Sequence, residues 1–403
     1  MPFQNQIMAG AAGAGGTRYT MWSWGNKTYP MGLGATAPDS VPQQIGDLDD
    51  WTPMFVTTDD STHAVKSDGT LWSWGNGDLL GNGGVPGWVC SPVQIGSATN
   101  WTSVWGNSRG KNLYAINQSG ELWAWGLGET GNNGDSALTF RSSMVQIAGT
   151  TWVGAHGGVD HSSGIKTDGT LWGWGRGTLG VTWHNTTTFY SSPVQAGTAT
   201  TWWGAAGYPP SDGWEAGVEN HKKFGCMDGD QTGYLIDSAG KAWSCGSNVA
   251  GGARGQTNIA NSSPSQISTD GQSANSEANW THIQGAAYGC VGINDGKFKT
   301  WGGYNTSGEL GGGNTTTPSL GQIFEWDGSV TDCSRACGVA GAGAQGASVM
   351  NAGGTLYFAG ENGQGQFGNG GLTDVSSPVQ GPATTDWVRV VMGALHCIAV
   401  KEA

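Results

Sequence analysis

A phrase built on Trp-x-Trp-Gly returns along this chain about every fifty residues. It reads Tyr19-Thr20-Met21-Trp22-Ser23-Trp24-Gly25, then Thr70-Leu71-Trp72-Ser73-Trp74-Gly75. Glu121-Leu122-Trp123-Ala124-Trp125-Gly126 and Thr170-Leu171-Trp172-Gly173-Trp174-Gly175 follow. Degenerate copies stand at Ala242-Trp243-Ser244-Cys245-Gly246, Lys299-Thr300-Trp301-Gly302 and Leu356-Tyr357-Phe358-Ala359-Gly360. A repeat of this period constrains the architecture before any local preference does. One unit cannot bury its apolar face without a neighbour of the same kind.

Residues 51 to 96 spell out one unit. Trp51 opens an apolar run to Val56, and His63-Ala64-Val65-Lys66 alternates apolar and polar. Ser67-Asp68-Gly69 predicts a tight turn, because Gly takes positive φ without a Cβ clash. Leu71-Trp72-Ser73-Trp74 is the returning strand. A Gly-rich loop through Gly84 leads to a last strand at Ser91-Pro92-Val93-Gln94-Ile95-Gly96, with Pro near its start, where a missing N–H costs least. This last strand recurs at 41–46, 91–96, 143–148, 192–197, 263–268, 318–323 and 377–381. The opening Trp recurs as Trp51, Trp101, Trp152, Trp202, Trp280 and Trp387, and is missing near residue 330.

Four short antiparallel strands per unit, seven units and no helical periodicity predict an all-β fold, a seven-bladed β-propeller over residues 17–403. The last unit stops at His396-Cys397-Ile398-Ala399-Val400-Lys401, and the first begins with a Trp-x-Trp-Gly strand. Two strands from each end would complete one blade and close the ring, removing free sheet edges.

The Asp-Gly-x-Leu-Trp-x-Trp-Gly core, the loop ending at Leu80-Gly81 and the Ser-Pro-Val-Gln-Ile strand resemble the regulator-of-chromosome-condensation repeat family. His161 and His396, four residues before an Ile or Val of the second strand, match that family's His. The resemblance implies a seven-bladed propeller. Its founding member implies a GTPase exchange factor or chromatin binder, and other members imply protein-binding propellers such as enzyme inhibitors.

Composition narrows these options. Net charge is −13 and the 17 basic residues form no stripe or tail, which argues against a phosphate-backbone partner. No apolar run reaches the ~20 residues of a membrane span, and residues 1–16 lack the basic start of a secretory signal. Synthesis in a cytoplasm is therefore the expectation. The seven Cys show no disulfide framework; Cys333 and Cys337 are the one close pair. Three Gly-x-Gly-x-x-Gly matches, beginning at Gly126, Gly175 and Gly363, lead into no helix. They lack the N-terminus that would receive a pyrophosphate. Asp228-Gly229-Asp230 opens like a calcium loop, but its twelfth position is Ala239 rather than Glu. No acid, base, nucleophile or metal set converges, so neither catalysis nor a cofactor nor a metal is expected.

Six Trp lie outside the repeat: Trp88, Trp105, Trp183, Trp203, Trp214 and Trp326. They pack in the core or, with Tyr208, serve as exposed platforms for sugar rings or a partner protein. Trp183-His184 with Phe189-Tyr190 forms one dense group. Trp203, Tyr208 and Trp214 form another, at an insertion of about residues 205–231, the kind of loop that carries binding function. Residues 1–16 form an uncharged Gln/Asn and Gly/Ala arm in which Phe3, Ile7 and Met8 would supply buried contacts. This arm resembles the starts of tailed-phage virion proteins, and the simplified Trp-Gly-Thr-rich repeat resembles propellers of phage structural genes. Those resemblances imply a non-enzymatic structural or adhesive virion component. It would be multimeric in its assembly, contacting other virion proteins and a host-surface glycan or protein.

Overall fold

The computed structural model describes residues 17–26, 31–34, 39–106, 112–202, 232–247, 260–267, 278–285, 289–302, 305–316, 322–326, 330–338, 346–393 and 395–403. The arm at 1–16, with Phe3, Ile7 and Met8, lies outside them. So does the insertion, with Trp203, Tyr208 and Trp214.

Each repeat becomes an antiparallel sheet. Trp51–Thr57, Ser61–Lys66, Leu71–Asn76 and Trp88–Gln94 lie side by side in chain order. The sheets spanning 101–146, 152–195, 280–325 and 333–380 repeat this four-strand pattern. The 232–266 sheet has three strands, and a lone Trp202↔Asp237 bridge stands where its first would run. Helix is confined, among the described residues, to 3-10 turns at Gly77–Leu79 and Thr178–Gly180. The protein is thus an all-β array of antiparallel sheets.

The remaining sheet is built from both ends of the chain. Tyr19–Gly25 pairs along its length with His396–Glu402, from Tyr19↔Glu402 to Gly25↔His396. Trp387–Met392 flanks it on one side and Asp39–Gln44 on the other. A single Tyr19↔Trp51 pair ties it to the 51–94 sheet. First strands of neighbouring sheets touch: Trp51–Thr57 meets Trp101–Gly106, which meets Trp152–Gly157. Trp280–Gly285 meets Cys333–Gly338, which meets Trp387–Met392, and that strand returns to Trp51–Thr57.

The repeat signature has local physical causes. The Gly of Trp-x-Trp-Gly sits where the second and third strands approach most closely. Gly75 has φ +118°, and a Cβ there would lie 2.6 Å from Ser61 Cα. The Asp-Gly turn is wired to the Trp. Asp68 Oδ1 accepts from Thr70 N (3.0 Å) and Thr70 Oγ1 (2.6 Å), and Thr70 Oγ1 accepts from Trp72 Nε1 at 2.7 Å. Asp168, Thr170 and Trp172 repeat this chain. The Thr170 hydrogen bonds hold the Asp168 carboxyl below its ordinary range. The opening Trp then packs edge-on against the Trp-x-Trp strand, as Trp51 does on Trp72 and Trp152 on Trp172. In three sheets a Lys stands in register opposite the opening Trp. Its ammonium lies over a ring: Lys66 4.4 Å from Trp72, Lys166 3.8 Å from Trp172, Lys401 4.7 Å from Trp22. Each such contact adds about 0.5–2 kcal/mol.

Where the opening Trp is missing, the register supplies its substitute. Cys333 opposes Asn351 as Trp280 opposes Asn294 and Trp101 opposes Asn117. It is buried and reduced, and burial pushes its thiol up to about 11.

One strand assignment needs correction. Of the expected 318–323, residues 318–321 lie outside the described residues, and the described last strand of the sixth repeat is Ile323–Glu325, running beyond the expected end. Trp326 N donates to Phe298 O as Ile95 N does to Leu71 O, so Trp326 takes the place of the usual Ile. The Gln322-Ile323 pair imitates the repeat three residues early. The larger Trp side chain decides the register, because the next sheet carries Ala359 where a Trp normally fills the space between sheets.

Candidate binding surface

Three of the predicted platforms are core residues. Trp105, Trp183 and Trp326 are 1%, 3% and 3% exposed, which removes them as surfaces for a ligand. Trp105 packs edge-on to His156 at 5.2 Å and donates to Ser103 Oγ. The other two repair gaps in the repeat. In regular units the second Trp of Trp-x-Trp reaches into the preceding sheet's loop. Trp125 Nε1 donates to Leu79 O (2.8 Å), Trp174 Nε1 to Asn132 O (2.8 Å) and Trp24 Nε1 to Gln366 O (2.7 Å). A loop Gly lies beneath the ring: at Gly134 a Cβ would come within 2.8 Å of Trp174 Nε1. Where Ala359 replaces that Trp, Trp326 Nε1 donates to Leu310 O at 2.9 Å instead, and its ring packs on Phe298 at 4.5 Å. Where Cys245 replaces it, the thiol donates to Val181 O, and Trp183 packs in the same cluster as Trp202 and Cys245. The signal was present in the sequence: Trp183 and Trp326 each precede a repeat that has lost its second Trp.

Trp88 is the predicted platform found at the surface, 45% exposed. Phe189, from the dense group with Trp183, and Phe140, which the sequence did not single out, join it. Phe140 is 39% exposed and Phe189 44%. All three precede the residue paired with the Gly of Trp-x-Trp-Gly: Val89↔Gly75, Arg141↔Gly126 and Tyr190↔Gly175. They therefore occupy one repeat position in three consecutive sheets. Aligning the strands on that Gly would have found them.

A concavity of about 350 Å³ lies between the terminal and 51–94 sheets, lined by Leu33, Ile45, Leu48, Trp51, Trp72 and Lys66. Lys66 is neutralised there by Asp50 at 3.1 Å, and its ammonium lies 4.8 Å from the Trp51 ring and 4.4 Å from the Trp72 ring. This gives a greasy notch with little charge to recognise.

The buried histidines are structural. His396 Nε2 bonds Thr57 Oγ1 at 2.8 Å and His63 Nε2 bonds Ser61 Oγ at 2.9 Å. Burial lowers His63 to about 3 and His396 to about 4; burial, with Arg389 adding to it, lowers His156 to about 3. Because the folded pKa lies below the unfolded value, the unfolded chain binds protons first. Their stabilisation is complete above about pH 6.5 and is lost as pH falls toward 4 and 3, with a slope of up to about 1.4 kcal/mol per pH unit for each His. The urea midpoint is expected to drop steeply between pH 7.5 and 5.0, where carboxylates stay ionised, and less steeply in His63→Asn. A midpoint that does not change over this range would refute the assignment.

Among the described residues no group of three or more His, Cys, Asp or Glu side chains could hold a metal ion, and no helix is long and apolar enough to cross a membrane. No protein-family model and no curated protein matches the chain in sequence. Solved structures do match in fold. Human WBSCR16 is similar with a TM-score of 0.72 at 16% identity, over 96% of this chain and 100% of that one. Prp20p from Saccharomyces cerevisiae is similar with a TM-score of 0.73 at 14% identity, over 100% of this chain and 95% of that one. Yeast RCC1 (Prp20) bound to Kap60 is similar with a TM-score of 0.72 at 14% identity, over 100% of this chain and 92% of that one. The fold is that of the RCC1-type propellers, as the repeat residues implied.

Proposed function

We propose that this chain, with its RCC1-type fold, is a non-enzymatic binding scaffold: a seven-bladed propeller whose first and last strands share a closing blade, carried in a tailed-phage particle as a structural or adhesive component. The observation that carries the scaffold reading is the pairing of Tyr19–Gly25 with His396–Glu402. It holds Tyr19–Gly25 and His396–Glu402 in one sheet, a rigid support from which loops can present a binding surface. The virion reading is supported by the uncharged Gln/Asn and Gly/Ala segment at 1–16 and by the simplified Trp-Gly-Thr repeat. A free protein-binding propeller, an enzyme inhibitor or an exchange factor, is the second reading. It is favoured by the likeness to Prp20p, whose structure was described with its binding to Gsp1p and histones.

Mass spectrometry of purified particles tests the first reading. The full chain is expected at stoichiometric abundance, and a chain starting at Gly16 is expected to fold but fail to incorporate. The arm would order only against its neighbours. Fixing sixteen residues costs on the order of 15–30 kcal/mol of backbone entropy, which a multivalent assembly can offset. Absence of the full chain from particles would overturn the virion reading, and normal incorporation of the truncated chain would overturn the role of the arm.

A further inference from the structure

We infer that Trp88, Phe140 and Phe189 form one strip that binds a neutral polysaccharide; this rests on the scaffold reading above and names its ligand class. The three rings repeat one position in the 51–94, 101–146 and 152–195 sheets, at the start of the outermost strand. The sheets are joined along this edge. Asn82 bridges to Ser143, and Phe189 lies so close over Gly131 that a Cβ there would meet its Cζ at 2.9 Å. The rings are therefore held at fixed intervals by strands and neighbouring loops.

The chain that leads directly into each ring is uncharged. The segments ending in the rings are Asn82-Gly83-Gly84-Val85-Pro86-Gly87-Trp88, Ser136-Ala137-Leu138-Thr139-Phe140 and Asn185-Thr186-Thr187-Thr188-Phe189. No Asp, Glu, Lys or Arg occurs in any of them, on a protein of net charge −13; Asp135 and Arg141, which flank the second segment, pair with each other at 2.6 Å. The pattern then stops. The corresponding residue of the 333–380 sheet is Asp374, and that of the 232–266 sheet is Ala260.

An uncharged strip on an acidic protein suits a ligand without charge. A polyanion would meet repulsion from the acidic surroundings, and a polycation would find the Asp135 carboxylate beside Phe140 already paired with Arg141. The exposed Thr, Ser and Asn side chains both donate and accept hydrogen bonds, which matches the hydroxyls of a sugar. Each ring offers a flat apolar face, which matches the C–H face of a pyranose. A protein partner would call for a contiguous patch with anchors clustered near its centre, whereas these rings are dispersed one per sheet. A polymer of identical units matches a repeated platform, and engaging several rings at once raises its apparent affinity.

Native electrophoresis of the full chain through gels containing dextran, mannan, galactan or mixed-linkage β-glucan tests this, with alginate as the charged control. Retardation is expected in at least one neutral gel, unaffected by added salt. Each single change, Trp88→Ala, Phe140→Ala or Phe189→Ala, should weaken it roughly tenfold, and the triple variant should abolish it. Trp88→Phe should retain most of it. If the triple variant does not fold, the single variants decide. The inference is overturned if no neutral gel retards the protein, if only alginate does, if all variants run as the parent, or if the strip captures a protein instead. The triple variant should still enter particles, so losing glycan binding and losing incorporation are separate results.

Discussion

Removing residues 387–403 is expected to abolish the folded monomer. The deleted segment carries Trp387–Met392 and His396–Glu402, two of the four strands of the terminal sheet. Trp387, Val390, Val391, Met392, Cys397, Ile398, Ala399 and Val400 are all buried. At about 1.5–3 kcal/mol for each large apolar side chain, their loss reaches the 5–15 kcal/mol by which a typical domain is stable at all. The cut would also bare the Tyr19–Gly25 edge along its whole length, and exposed edges recruit other chains. The expected product is aggregate or oligomer by size exclusion, with no cooperative thermal transition at the parent's temperature. A monomer of parental stability would contradict the account.

The second large effect concerns the Trp residues that fill gaps. Trp326→Ala should destabilise by about 3–5 kcal/mol, the usual cost of emptying an aromatic site in a core. Its origin gives a sharper test. A regular interface has Ile95 in one sheet and Trp125 in the next, both in one cluster. The irregular interface has Trp326 and Ala359, again in one cluster. Ala359→Trp alone should overpack and destabilise by about 1–3 kcal/mol or more. Combining Trp326→Ile with Ala359→Trp recreates the regular pair and should recover most of the loss, giving strong coupling in a double-mutant cycle. Chemical denaturation of the four proteins reads this directly. Additive losses would show that Trp326 does not stand in for the missing Trp.

The same residues show what could be read from the sequence. The Asp-Gly turns, the Trp-x-Trp-Gly strands and the joining of the two ends were legible because each follows from local geometry repeated at a fixed period. The positive φ at Gly75 and the Asp68–Thr70–Trp72 chain are examples. The sixth repeat was misplaced because Gln322-Ile323 fits the local pattern, while the true register is set by a volume deficit at Ala359, in the following repeat. Trp105, Trp183 and Trp326 were drawn as surface candidates for a related reason. Their burial depends on neighbours that a period cannot reveal. The exposed strip was only partly legible. Trp88 was selected for its residue type, whereas Phe140 and Phe189 matter through a position shared across three sheets. Cys333 was read as half of a close pair, and the structure gives it the opening-Trp position.

Hydrogen exchange of the backbone amides in Tyr19–Gly25 and His396–Glu402 tests the central claim most directly, because these strands pair the first part of the described chain with the last along their whole length. If the closing sheet is as firm as its pairing from Tyr19↔Glu402 to Gly25↔His396 implies, their amides will exchange only through global unfolding. They will then be as slow as those of Ser61–Lys66 and His161–Lys166 in the interior of other sheets. Exchange in the two terminal strands that runs far ahead of those interior strands would mean that they fray independently, and would contradict the proposed ring closure.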